Sequence, residues 1–253
     1  MILPGLVSVT FRKLSPAEVA ALVKQAGLKS IEWGGDVHVP HGDLARAREV
    51  RQVTIEHGLV TAAYGSYYRA GQSEGAGPAF ERVLETAVEL GAPTIRVWPG
   101  MAGSAEVDEN GRWKIIHDLR RIAGLAAWAG VGISMEFHGG TLTDSNESAS
   151  KLLVEVDHSN VFVGWQPHNG ESTEDCVAGL KEVLPRVGNI HVFHWWPTAA
   201  ERHPLADGAV RWAKFWPLIN EAPGDRHALL EFVQHDSQDA FLRDAATLRQ
   251  WLA

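Results

Sequence analysis

Cysteine is nearly missing from this chain. Cys176 stands alone, so no intrachain disulfide can form. It lies in Glu174-Asp175-Cys176-Val177-Ala178, the opening of an amphipathic helical pattern, where a packed thiol is expected rather than a nucleophile. Long apolar runs are missing too. None reaches ~18 residues, so no membrane-spanning helix is expected. No basic segment with a long apolar stretch precedes the strand-like run Leu6-Val7-Ser8-Val9-Thr10-Phe11, and the expected location is the cytoplasm. An excess of basic charge is also absent. The net charge of -8 argues against a general nucleic-acid binder, which needs a basic face to displace counterions. Linkers, low-complexity tracts and charge blocks are not found, so residues 1–253 are expected to form a single domain.

What is present is a regular alternation of β-rich runs and helical patterns. Strand one is expected around Val7–Phe11. Ser15-Pro16-Ala17-Glu18 then predicts a helix start, with Ser15 as the cap and Glu18 reaching back to it. Val19, Leu22, Val23 and Ala26 keep helical spacing until Gly27. Further strands are expected at Ser30–Trp33, Val60–Tyr64, Thr94–Trp98, around Glu136, and at Val161–Trp165, Asn189–Phe193 and Ala228–Val233. A helical pattern follows each, the last running from Ser237 to Leu252. Eight strand–helix units predict an α/β fold, a single (β/α)8 TIM barrel. A doubly wound open sheet would show a Gly-rich phosphate loop, and strand one leads into Phe11-Arg12-Lys13-Leu14 instead.

In such a barrel the active site lies at the C-terminal ends of the strands. Seven of the 12 histidines fall near those ends: His38, His41, His138, His168, His191, His194 and His235. Two glutamates, Glu136 and Glu231, interrupt apolar runs, where a carboxylate is costly to bury without a partner. Glu136, His191 and Glu231 are candidate ligands for a divalent ion such as Mn²⁺, Mg²⁺, Co²⁺ or Zn²⁺. The plainer reading of each glutamate is a buried ion pair with Arg96 or another basic residue. Trp33, Trp98, Trp165, Trp195 and Trp196 lie at or near strand ends, where indole faces can cover the C–H side of a sugar or simply fill the barrel top. Trp113, Trp128, Trp212, Trp216 and Trp251 sit in helical patterns and are expected to pack.

Met135-Glu136-Phe137-His138, Val163-Gly164-Trp165-Gln166-Pro167-His168, Asn189-Ile190-His191-Val192-Phe193-His194-Trp195 and Leu230-Glu231-Phe232 follow one another in strand order. Together they resemble the xylose-isomerase-like superfamily of sugar isomerases and epimerases. The resemblance implies metal ligands Glu136, Gln166, His191 and Glu231, with His168 as a substrate-binding histidine. Two departures accompany it. Gln166 stands where the family carries Asp, which implies a weaker ion site or His168 as a substitute ligand. The arginine usual after the strand-seven histidine is absent at that spacing, and Arg202 is the candidate to replace it from a longer loop.

The expected function is therefore divalent-metal-dependent isomerisation or epimerisation of a small ketose or polyol ketone. Glu136 and Glu231 would move the proton next to the carbonyl. Trp33, Tyr67, Arg96, Trp98, His138, His168, His194 and Arg202 are the expected substrate contacts. The alternatives are a lyase or dehydratase on a keto-inositol or other oxidised sugar, an endonuclease IV-like repair enzyme, and a non-catalytic sugar-binding barrel. The expected partner is a small carbohydrate, with no nucleic acid and no membrane; a homo-oligomer stays open.

Overall fold

The computed structural model describes residues Met1–Ala253. Along the chain run β1 (Ile2–Val7), α1 (Pro16–Gln25), β2 (Ser30–Gly34), α2 (Leu44–Glu56), β3 (Val60–Arg69), the one-turn α3 (Ser73–Ala76), α4 (Phe80–Leu90) and β4 (Thr94–Trp98). Then follow α5 (Glu109–Trp128), β5 (Gly132–Glu136), α6 (Asn146–Val156), β6 (Val161–Trp165), α7 (Thr173–Val183), β7 (Val187–Val192), α8 (Ala209–Glu221), β8 (Arg226–Leu230) and α9 (Gln238–Trp251). Each strand pairs in parallel with the next, and β8 pairs back onto β1, so the sheet closes as a (β/α)8 barrel. No helix is long and apolar enough to cross a membrane.

Local chemistry explains the element boundaries. Ser15 Oγ accepts from the Glu18 amide while Glu18 Oε2 accepts from the Ser15 amide, so the predicted capping box forms and starts α1. The first strand departs from expectation. Ile2–Val7 is the strand, and Ser8–Phe11 turns into a 3₁₀ helix. Pro4 and Gly5 lie inside the strand, where Gly5 pairs with Ser30 of β2 and Leu229 of β8. A Cβ on Gly5 would stand 2.3 Å from Ser30 Oγ, 2.5 Å from the Ser30 carbonyl oxygen and 2.6 Å from Leu229 Cδ2. Only glycine lets β1 approach β2 and β8 this closely.

Two apolar layers hold the barrel. Inside, Val7, Val9, Ala62 and Leu229 form a small cluster below the mouth. Outside, the outward-facing strand residues pack against the helices in one continuous core. Trp212, Trp216 and Trp251 belong to this outer layer, stacking on one another as expected for packing residues. Trp128 does not: it is 94% exposed, and Trp113 is 57% exposed. The helical pattern around them was real, but both face solvent. Cys176 is buried on α7, as its position in the pattern implied.

Candidate active site

Side chains alternate between barrel interior and helix layer along each strand. That period puts Arg96 and Trp98 on one side of β4, Glu136 and His138 at the end of β5, and Gln166 and His168 just beyond β6. His191 of β7 and Glu231, one residue past β8, complete the ring. The same rule separates neighbours. Glu32 of β2 points inward, so Trp33 points out, where its Nε1 donates to Thr54 Oγ1 of α2 at 3.1 Å. Trp33 is fully buried in the helix layer and is corrected from substrate contact to packing residue. Trp165 likewise packs edge-on to Trp212 and Phe215 of α8.

A cavity of about 600 Å³ opens above the ring. Its walls include Arg12, Tyr67, Arg96, Trp98, Glu136, His138, Asp144, Gln166, His168, Arg202, Glu231 and Phe232. Most of the expected substrate contacts thus share one space. His194 does not: it leans against Gly208 and lies 5.6 Å from the His203 ring, outside the cavity wall. β7 ends at Val192, so His194 already belongs to the loop that follows it. Arg202 reaches the mouth, donating to Asp236 Oδ1 at 2.6 Å and lying 4.6 Å over the Phe232 ring.

At the cavity floor four donor atoms converge. His191 Nδ1 lies 3.1 Å from Gln166 Oε1, 3.4 Å from Glu231 Oε2 and 3.6 Å from Glu136 Oε1. Ligand atoms of Glu136, His191 and Glu231 all fall within 4.8 Å of one another. Donors about 2.1 Å from one ion stand roughly 3 to 4.2 Å apart, and the three separations from His191 Nδ1 fall within that range, so this set suits a divalent cation. Gln166 is held in the required sense. Its Nε2 donates to the Phe137 carbonyl at 2.6 Å, which leaves Oε1 facing the cluster.

Beneath this cluster lies a buried ion network. Arg96 Nε donates to Glu32 Oε1 at 2.5 Å, and Arg96 Nη1 donates to Glu136 Oε2, which also accepts from Trp98 Nε1. Glu32 Oε2 stands 3.4 Å from His191 Nε2. Glu136 therefore makes the expected ion pair through Oε2, while its Oε1 stays with the candidate ligand cluster. Arg96 lines the cavity, and its guanidinium is committed to two carboxylates at the floor. Glu32, Glu136 and Glu231 with Arg96 and a neutral imidazole carry a net charge of -2, which a divalent ion would neutralise.

The electrostatics follow from this packing. Burial pushes the Glu32 carboxyl up, but Arg96 and His191 outweigh it and bring its pKa down to about 2. Burial works against charge on His191, yet Glu231 and Glu32 raise its pKa to about 10 when no ion competes. Burial likewise opposes ionisation of Glu231, but His191 and Arg96 hold its pKa below the usual carboxylate value. At neutral pH, with no ion competing, Glu32, Glu231 and His191 thus all carry charge.

Two further histidines line the cavity, each with a ring nitrogen that has no partner in the protein. His138 Nδ1 donates to the Gly139 carbonyl at 2.6 Å, which fixes the tautomer and leaves the Nε2 lone pair open. Its ring lies 4.6 Å from Trp98, and Tyr67 meets Trp98 edge-on at 5.5 Å. His168 stacks on Phe137 at 5.0 Å, and its buried Nε2 has no partner in the protein. Burial lowers the His168 pKa and keeps the ring neutral.

Sequence reasoning passed over Glu32 as a site residue, although it carried the signal that singled out Glu136 and Glu231: a carboxylate inside a strand. Arg12, Phe232 and Asp144 gave no such signal, because they reach the cavity from loops.

Comparison with known proteins follows this geometry. The chain is 27% identical over 185 residues to 3-dehydroshikimate dehydratase of Bacillus anthracis, covering 63% of this chain and 65% of that protein's length. The matched stretch is thus just under two thirds of the relative. Among solved structures, the probable 3-DHS dehydratase AsbF of the same organism superposes with a TM-score of 0.80 at 22% identity, over 98% of this chain and 99% of that one. D-psicose 3-epimerase of Clostridium cellulolyticum H10 gives 0.75 at 13%, over 99% and 98%. A xylose isomerase-like TIM barrel protein of Mycobacterium smegmatis, solved in complex with magnesium, gives 0.75 at 17%, over 100% and 97%. The family model for xylose isomerase-like TIM barrels matches residues 20–251. The closed eight-stranded barrel and that match agree: the chain belongs to the xylose isomerase-like TIM barrel family.

Proposed function

We propose that this protein is a divalent-metal-dependent dehydratase acting on a small polyhydroxylated ketone. It would remove a proton next to the carbonyl and expel a hydroxyl from the following carbon. The observation that carries this reading is the inequality of the two glutamates. Epimerisation by a glutamate pair needs a free carboxylate on each face of one carbon. Glu136 does not offer that, because its second oxygen is occupied by Arg96 and Trp98. The expectation of an isomerase or epimerase using Glu136 and Glu231 as paired bases gives way to its lyase alternative, which the dehydratase relative also supports.

A divalent ion held by Glu136, His191 and Glu231, with Gln166 completing the set, would stabilise negative charge developing on the substrate's carbonyl oxygen. Proton transfer falls to His138, which is outside the ligand set and has Nε2 open to the cavity. His138 takes the proton from the carbon next to the carbonyl. The C–H electron pair becomes the new double bond as the C–O bond at the adjacent carbon breaks. The same proton then completes the leaving hydroxyl as water, so no other acid is consumed. His168 lines the substrate's side of the cavity, and Trp98 with Tyr67 covers a C–H face.

An endonuclease IV-like reading needs a multi-zinc cluster, and the structure gathers one three-residue group. The decisive assay incubates the Mn²⁺-loaded protein with 3-dehydroshikimate and with a keto-inositol and follows product mass. Loss of one water is expected, and His138→Gln should slow it ~10²–10⁴-fold. Mass-neutral rearrangement alone would return the assignment to the isomerases. Stoichiometric sugar binding with no turnover and no effect of chelator would mark a non-catalytic barrel.

A further inference from the structure

We propose that Glu32 is a positioning residue for the cation site: it fixes which nitrogen of His191 faces the ion and, through Arg96, which oxygen of Glu136 does. This rests on the metal-dependent reading above. Glu32 is buried at the level of the barrel interior just under the ligand ring. Each of its oxygens has its own partner. Oε1 accepts from Arg96 Nε at 2.5 Å, and Oε2 stands 3.4 Å from His191 Nε2. The imidazole is thereby held with Nε2–H toward Glu32 and Nδ1 toward Gln166, Glu136 and Glu231. A carboxylate behind a ligating histidine orients the ring and raises its donor strength.

The second arm works through Arg96. Its guanidinium is gripped by Glu32 on one side and donates to Glu136 Oε2 on the other. That bond, with the one from Trp98, occupies Oε2 and turns Oε1 toward His191 Nδ1. One carboxylate on β2 therefore orders ligands on β5 and β7, neither of which pairs with β2 in the sheet. Glutamine cannot do the same work. Its single amide oxygen can serve Arg96 or His191, while its NH₂ would face the other donor.

The test compares the full-length protein with Glu32→Gln by titration with Mn²⁺ alone. Circular dichroism checks the fold, and the Co²⁺ d–d spectrum at saturation reports the ligand set. Mn²⁺ affinity should fall about 10–100-fold with the fold intact, and the Co²⁺ spectrum should change. Equal affinity and an unchanged spectrum in a folded variant would overturn the proposal. If wild type itself binds no Mn²⁺, the metal-dependent reading fails first, which separates the two failures. Should Glu32→Gln not fold, wild type still decides. ¹⁵N NMR of the Zn²⁺-loaded protein should show His191 Nδ1 bound to the ion and a slowly exchanging Nε2–H. An ion on Nε2 would sink the proposal.

Discussion

At the residue scale, His191 is the group whose state depends most on its surroundings. Without an ion, Glu231 and Glu32 outweigh the cost of burial and hold its pKa near 10, so at neutral pH the ring is an imidazolium. An ion on Nδ1 must displace that proton. The sign is then fixed: protons compete with metal at every pH below about 10, and affinity rises as pH rises. Between pH 6.5 and 8.5 the apparent Mn²⁺ affinity should climb about tenfold per unit from this group alone. The neighbouring carboxylates contribute little slope there, since Glu32 and Glu231 ionise below their usual values. Calorimetry in buffers of different ionisation enthalpy should count about one proton released per ion. A flat affinity profile would show that His191 does not ligate.

At the element scale, the strand ends make the site and the strand starts keep the barrel closed. β1 is the tightest point, where Gly5 sits between Ser30 and Leu229. Gly5→Ala would force β1 away from β2 or β8, and the obstacles include the Ser30 backbone oxygen, which cannot rotate aside. Its cost should reach the upper end of the ~1–3 kcal/mol range for overpacking, read as a lower midpoint in urea at unchanged slope. Past the other end of the barrel, Phe232 follows Glu231 in a left-handed conformation, φ 43°. Its amide donates to Thr10 Oγ1 at 3.0 Å, and its carbonyl accepts from Trp195 Nε1 at 3.0 Å. Those two bonds hold a backbone that a phenylalanine otherwise avoids, and they set the angle at which Glu231 enters the floor.

At the scale of the whole molecule, the proposed ion would tie metal binding to folding. Three glutamates, Arg96 and His191 lie together at the centre of the barrel, and none of them gathers its partners in an unfolded chain. An ion that binds only the folded state stabilises it by mass action, by ~2.7 kcal/mol at a hundredfold excess over Kd. Thermal unfolding should therefore shift upward with Mn²⁺ and return with chelator. The gain should be lost in Glu231→Gln, which keeps the size of the side chain and removes a ligand charge. An equal shift in that variant would place the ion elsewhere.

Much of this protein was legible in the chain. The alternation of strand and helix periods determined the eight-fold barrel, because burying both faces of a parallel sheet imposes that pattern on the residues themselves. The Ser15–Glu18 box and the buried Cys176 were equally local. Glu136, His191 and Glu231 were legible as a set because polar residues inside apolar strands demand a partner. Tertiary structure alone decided the rest. Whether Trp33 or Glu32 faced inward depended on register, and one residue of slip exchanges the two faces. Which oxygen of Glu136 meets Arg96, and which nitrogen of His191 meets Glu32, depended on side chains from strands that are distant in sequence and meet only when the barrel closes. The sequence supplied the candidate ligands. Closure of the barrel decided how they are aimed, because the aim is set by contacts across its interior.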